Sequence, residues 1–268
     1  MKPNEKISIV MPSYNASRYI SQTIDSVVAQ TYKSWELLIV DDASTDDTVR
    51  IIESYLKVDP RIRLIKLEKN FGGPAGPRNK GVAESRGHWI AFIDADDLWH
   101  EEKLTRQVGV INETNVQFVS CRMQRFVSEL EYKPVPSPDK KTKLRKITYL
   151  RQLLRYGTPT SSVLVKKDIM KSFPFQEGRA WRAREDMDCW LRIHKVIGYS
   201  YKLDLPLVGY RVVEGQISGD KFEMIGRTYF CFRNSRGVPS SPLGLLAVFL
   251  TGLHLFGALI NRLTSKGL

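Results

Sequence analysis

Cysteine is scarce in this chain: Cys121, Cys189 and Cys231 are the only three among 268 residues. An odd number at wide spacing excludes a disulfide framework and leaves no C-x-x-C pair for metal or redox chemistry, so unpaired thiols in a reducing compartment are expected. The four histidines, His88, His100, His194 and His254, are equally scattered and argue against a zinc centre. No internal repeat or low-complexity segment is present. The first apolar run is followed by Pro12-Ser13-Tyr14-Asn15 with no glycine, which excludes a dinucleotide fingerprint at that turn, and a P-loop lysine motif is missing as well. Ahead of it, Met1 to Lys6 is polar and Ile7 to Met11 is too short for the core of a signal peptide, so nothing directs this end across a membrane.

What is present is ordinary globular composition, with 42% hydrophobic and 26% charged residues, which argues against disorder. The length suits one large α/β domain or two modest ones. A net charge of +12 predicts a surface that favours an anionic partner, and nucleic acid, an anionic bilayer and a phosphorylated substrate all qualify.

The first part of the chain alternates strand and helix signals. Ile7 to Met11, Trp35 to Val40, Ile62 to Ile65 and Trp89 to Ile93 read as buried strands. Between them, Arg18 to Ala29 places Ile20, Ile24, Val27 and Val28 on one helical face. Ser44 to Asp47 offers capping side chains ahead of Val49, Ile51, Ile52 and Leu56, and Pro77 to Ser85 is a short helix. Such repetition implies an α/β fold with a mostly parallel central sheet flanked by helices, and in such sheets ligands bind beyond the carboxyl ends of the strands. Pro12 to Asn15, Asp41-Asp42 and Asp94-Ala95-Asp96-Asp97 should therefore line one edge. After about Glu113 the pattern loosens. Phe118 to Met123, Ser161 to Val165, Tyr199 to Tyr201 and Leu207 to Arg211 suggest strands, Asp186 to His194 a helix, and Lys133 to Lys146 an exposed loop.

Asp94-Ala95-Asp96-Asp97 sets three carboxylates within four residues at the end of an apolar strand. Their mutual repulsion calls for a cation, and a hard ion such as Mn²⁺ or Mg²⁺ prefers oxygen ligands that it shares with substrate phosphates. A polar turn capping a helix that begins near Glu101 is the plainer reading. Asp41 can accept from a ribose hydroxyl or a base N–H, while Asp42 to Asp46 cap the next helix. The Gly/Pro-rich stretch Asn70 to Asn79 can bring backbone N–H groups and Arg78 toward a pyrophosphate. Glu185-Asp186 opens a helix whose dipole favours acids; its functional reading is a general base that takes a proton from an acceptor hydroxyl.

Taken in order, Ser8 to Asn15, Val40 to Asp46, Arg78-Asn79-Lys80-Gly81, Ile93 to Trp99 and Glu185-Asp186 strongly resemble the family 2 glycosyltransferases of bacterial cell-surface polysaccharide synthesis, from about Ile7 to Arg211. The resemblance implies a GT-A fold, a UDP-sugar donor in most members, Mn²⁺ or Mg²⁺, and inversion at the anomeric carbon. Carried over by position, Pro12, Tyr14 and Asp41 face base and ribose. Asp94, with Ala95 beside it, lies near ribose or metal, Asp96 binds the metal, and Asp186 is the base. Arg211 and Ser218 resemble a late segment that closes over the diphosphate. Trp181 and Glu185 are candidate acceptor contacts, along with Arg182 and Arg184. The expected acceptor is a polyprenyl-diphosphate-linked glycan at the cytoplasmic face of the inner membrane.

The expected organisation is a catalytic domain over 1–220, with a nucleotide-sugar half to about 113 and an acceptor half from about 114, then a helical segment over 221–268. Leu243 to Ile260 is apolar apart from Thr251 and His254, close to the roughly 18–20 residues of a membrane span. Its flanking Arg233, Arg236, Arg262 and Lys266, with Lys140, Lys141, Lys143, Arg145 and Lys146, favour anchoring on an anionic surface; a core or dimer-interface helix and a true span are the alternatives. Sugar transfer to a polyprenyl phosphate is the rival within the fold. A sugar nucleotidyltransferase lacks its Gly-rich N-terminal loop here, and nucleic-acid binding is suggested by charge alone.

Overall fold

The computed structural model describes residues 5–127, 143–154, 158–212 and 221–265. In chain order the strands and α-helices begin with β1 Ile7–Ser13, α1 Ile20–Val28, β2 Trp35–Asp41, α2 Thr48–Leu56, β3 Ile62–Lys66, α3 Ala75–Glu84, β4 Trp89–Phe92, β5 Leu98–Trp99 and α4 Lys103–Thr114. They continue with β6 Phe118–Phe126, β7 Leu144–Thr148, α5 Tyr149–Leu154, β8 Leu164–Lys166, α6 Lys167–Ser172, α7 Glu185–Ile197, β9 Tyr199–Arg211, α8 Lys221–Asn234 and α9 Leu245–Ser265.

One sheet contains all the described strands, in the order β3-β2-β1-β4-β8-β6-β9-β5, with β7 on β9. The first four strands run parallel, each buried run sending alternate side chains to opposite faces. Ile7, Ile9 and Met11 of β1 and Leu37 and Ile39 of β2 meet Ile20, Ile24 and Val27 of α1 and Leu104 and Ile111 of α4 on one face. Val10, Ile90 and Phe92 meet Val82 of α3, Met170 of α6 and Trp190 of α7 on the other. Trp190 fixes α7 to the sheet, its ring centroid 5.3 Å from Phe118 and 5.5 Å from Phe175. A third cluster, Leu153, Met187, Leu191, Phe232, Ala247 and Leu250, binds α5, α8 and α9 to α7. All three cysteines are buried and free.

Several elements differ from their sequence expectation. The helix expected from Pro77 begins at Ala75, because proline in a first turn gives up an N–H that has no helical partner there. The strand expected over Ser161 to Val165 is split into a helical turn, Thr160–Ser162, and β8. Two expected late strands are one, β9. Pro206 interrupts its middle, where register shifts flank the Arg122–Pro206 pair because proline has no N–H for the ladder. The end of the expected Lys133 to Lys146 loop is β7, in which Arg145 pairs with Asp204 at 2.7 Å and Lys146 lies over the Tyr199 ring. Lys140, Lys141, Ser218 and Lys266 fall outside the described residues. Among the described residues no helix is long and apolar enough to cross a membrane. Instead α9 turns Ala247 and Leu250 onto the third cluster, and His254 Nε2 lies 2.7 Å from the Leu153 carbonyl oxygen.

Lys103, at the start of α4, is fully buried without a carboxylate. Its Nζ donates to Gln107 Oε1 and sits 3.8 Å from the Trp99 ring centroid. Burial lowers its pKa from 10.5 to about 8. With the folded value below the unfolded one, the folded chain binds fewer protons between about pH 8 and 10.5, so stability rises with pH through that window. Lys103→Met should therefore stabilise the fold at pH 7, by on the order of 1–3 kcal/mol, with the gain shrinking above pH 8; urea unfolding at pH 7 and pH 10 measures both.

Candidate active site

The parallel register sets Ser13 beside Asp41, so the carboxyl ends of β1 and β2 finish together, and β4 delivers Asp94 beyond Phe92 at the same edge. Pro12 is buried within β1, while Tyr14, just past its end, is 52% exposed. Asp41 is buried, and its oxygens accept from the Ser44 N–H at 3.0 Å and the Ser44 hydroxyl at 2.5 Å. Asp42 does not reach the following helix. Its carboxylate accepts the Phe71 N–H at 2.9 Å and its carbonyl accepts Asn70 Nδ2, which ties the Gly/Pro-rich loop to the end of β2.

Arg78 is the hub. It lies on α3, is 3% exposed, and forks between Asp94 Oδ1 at 2.7 Å and Glu185 Oε1 at 2.9 Å. Its guanidinium thus links the acidic turn after β4 to the first turn of α7, and Asp186 follows directly. Asp186 is half-buried; one oxygen accepts the Met187 N–H at 2.7 Å and the other the Thr160 hydroxyl at 3.3 Å. Glu185 is 3% exposed, and burial, reinforced by repulsion from Asp186, raises its pKa to about 7 despite Arg78. Glu185 therefore holds a proton more readily than a surface carboxyl.

The carboxylates of the acidic turn differ. Asp94 and Asp96 are half-exposed, whereas Asp97 is buried. Burial, then repulsion from Asp94 and Asp96, raises the Asp97 pKa well above the usual range, and its Oδ1 accepts the Arg211 N–H at 3.3 Å. Arg211 is buried, donates Nε to the Asp96 carbonyl and Nη2 to Gln22 Oε1, and stacks between Tyr19 and Phe126. The Ala95 carbonyl accepts the Thr23 hydroxyl at 2.9 Å. Trp181 lies farther out, edge-on to Phe230 of α8, at 5.1 Å between centroids.

Thr160 and Ser161 are site residues that the sequence reading passed over. Ser161 Oγ accepts the Asp94 N–H at 3.0 Å, and its carbonyl accepts Trp99 Nε1 at 2.9 Å. A proline followed by three hydroxyl residues, Pro159 to Ser162, is a turn signal that could have marked them. Among the described residues no three His, Cys, Asp or Glu side chains group as metal ligands. Two half-exposed carboxylates nonetheless suit a hard cation whose remaining ligands are phosphate oxygens and water.

The profile described as Glycosyl transferase family 2 matches residues 8–171. TuaG of Bacillus subtilis, named as a teichuronic acid biosynthesis glycosyltransferase, is 31% identical over 231 residues, 85% of this chain and 87% of its own length. WfgD of Escherichia coli, named as a UDP-Glc:α-D-GlcNAc-diphosphoundecaprenol β-1,3-glucosyltransferase, is 33% identical over 227 residues, 83% of each chain. Among solved structures, S. aureus TarS 1-349 with UDP-GlcNAc superposes with a TM-score of 0.70 at 24% identity, covering 86% of this chain and 67% of its own. The mannosyltransferase PcManGT of Pyrobaculum calidifontis, with GDP-Man and Mn²⁺, reaches 0.65 at 16% identity and covers 98% and 79%. At those identities the two structures establish a shared fold, a mixed α/β sheet flanked by helices.

Removing one member of a buried ion pair leaves the others uncompensated. Arg78→Met should lower the unfolding free energy by about 3–5 kcal/mol, and Arg78→Met combined with Glu185→Gln should recover part of the loss. Urea unfolding reads both; an unchanged midpoint in Arg78→Met would show that the carboxylates do not depend on it.

Proposed function

We infer that this chain, which belongs to glycosyl transferase family 2, moves a sugar from a UDP-sugar to a hydroxyl of a polyprenyl-diphosphate-linked surface glycan, with inversion at the anomeric carbon. The reading is carried by the Arg78 fork, which brings the acidic turn after β4 and the acidic start of α7 into one site. The names of TuaG and WfgD support the substrate class.

Transfer forms a bond from the acceptor oxygen to the anomeric carbon, breaks the bond from that carbon to the diphosphate oxygen, and moves the hydroxyl proton to a base. Asp186 takes that proton. It is half-buried at the site, oriented by Thr160 and Met187, whereas Glu185 is enclosed and bound to Arg78. Pro12, Tyr14 and Asp41 line the side that receives uridine. Asp96 and Asp94 would hold Mn²⁺ or Mg²⁺, and the chemistry such an ion supplies is stabilisation of charge on the departing diphosphate. Arg211 keeps the Asp96 backbone in place.

Asp186→Asn should leave UDP affinity within about two-fold of the native protein while turnover falls on the order of 100- to 10,000-fold. Calorimetry and product formation on a GlcNAc-diphospholipid measure the two, and near-normal turnover would rule out Asp186 as base. Transfer to a polyprenyl phosphate, and not to the saccharide, would overturn the acceptor class.

The outward face of α9 is the part suited to a membrane surface. Leu245, Val248, Phe249 and Phe256 are exposed along one side, and the exposed Arg233 lies against Gly244 at its start. Phe249→Glu with Phe256→Glu should abolish co-sedimentation with phosphatidylglycerol vesicles and leave the urea midpoint unchanged; vesicle binding that persists would place the docking surface elsewhere.

A further inference from the structure

A small pocket opens beside the Arg78 fork, between the loop 71–76 and residues 176–178, with Arg182 and Glu185 in its wall. Two buried polar atoms in that wall have no hydrogen-bond partner: Arg182 Nε, a donor, and Glu185 Oε2, an acceptor when ionised. Orphans of opposite kind at one pocket are costly to bury and call for a ligand that satisfies both. Phe71, 47% exposed, lies over Gly76, where a Cβ would overlap its ring. Its flat apolar face is a surface for the C–H face of a pyranose.

Charge decides what kind of ligand fits. The wall holds one guanidinium, Arg182, against two carboxyl groups, Glu177 and Glu185. That balance repels a diphosphate and suits an uncharged ring whose hydroxyl or amide groups both donate and accept. Resting on the transferase reading above, we propose that this pocket seats the sugar being transferred, with Arg182 and Glu185 reading its ring substituents and Phe71 stacking beneath it. Gly73 also lines the pocket, and a Cβ there would meet Arg182 Cγ at 3.6 Å, an ordinary contact. Arg182 is thus a specificity-determining residue.

The test compares UDP with UDP-glucose and UDP-N-acetylglucosamine by calorimetry in the presence of Mn²⁺, on the full chain and on Arg182→Met and Phe71→Ala. The native protein should bind at least one sugar nucleotide more tightly than UDP. Both variants should lose about ten-fold on that sugar nucleotide while UDP affinity stays within about two-fold, which also shows that they are folded. An unchanged ratio of sugar nucleotide to UDP in both variants overturns the pocket assignment and leaves the transferase reading standing. A raised acceptor KM with unchanged donor binding also overturns it, by giving the pocket to the acceptor. Absence of UDP binding in the native chain overturns the UDP-donor reading, and the pocket assignment with it.

Discussion

A single buried guanidinium holds the site together. Arg78 joins α3 to the turn after β4 and to the start of α7, which are distant in sequence and adjacent only because the sheet brings them together. Its charge is surrounded by low-dielectric protein, so its two carboxylate partners are needed to offset desolvation, and they in turn need Arg78. Planar geometry matters here: a fork can satisfy two carboxylates in different directions, as a lysine ammonium cannot. The fork also sets the distance between the acidic turn after β4 and the acidic start of α7.

A second arginine performs the complementary task on the backbone. Arg211, from the end of β9, is stacked between Tyr19 and Phe126 and donates to the Asp96 carbonyl and to Gln22. Asp97 completes the clasp by accepting the Arg211 N–H. These contacts give Asp97 a structural role that explains why it is buried while Asp94 and Asp96 stay half-exposed. Three neighbouring carboxyl groups thus have three environments: one paired to Arg78, one at the open edge, one enclosed and tied to β9. The repulsion expected from their proximity is reduced because burial disfavours ionisation of the third.

The parallel half of the fold is legible in the sequence because β1, β2 and β4 are mostly apolar runs, broken by Ser8 and Glu36, that end in chemistry-bearing turns, and parallel strands buried on both faces read that way. The gathering of Asp41, Asp94 and their neighbours at one edge follows from that pattern alone. The later half is less legible. β8 has three residues, too few for any periodicity, and β9 is interrupted by Pro206, which resembles a strand boundary and is accommodated as an irregularity in a continuous ladder. Arg78 falls in a stretch whose glycines and prolines suggest a loop, so its burial within α3 and its two partners are tertiary facts that local pattern does not carry. The roles of Thr160 and Ser161 likewise depend on contacts across more than twenty residues of chain.

The division between Glu185 and Asp186 follows from helix geometry. Adjacent residues on a helix point about 100° apart, so a pair at the first turn cannot face the same environment. Trp190, packed against Phe118 and Phe175, fixes the rotation of α7 about its axis. With that rotation fixed, Glu185 turns inward to Arg78 and Asp186 turns toward Thr160. The inward carboxyl loses solvation and takes up a proton more readily than an exposed one; the outward one stays half-buried. The rotation of α7, held by an aromatic contact a full turn away, therefore sets the different environments of the two acids.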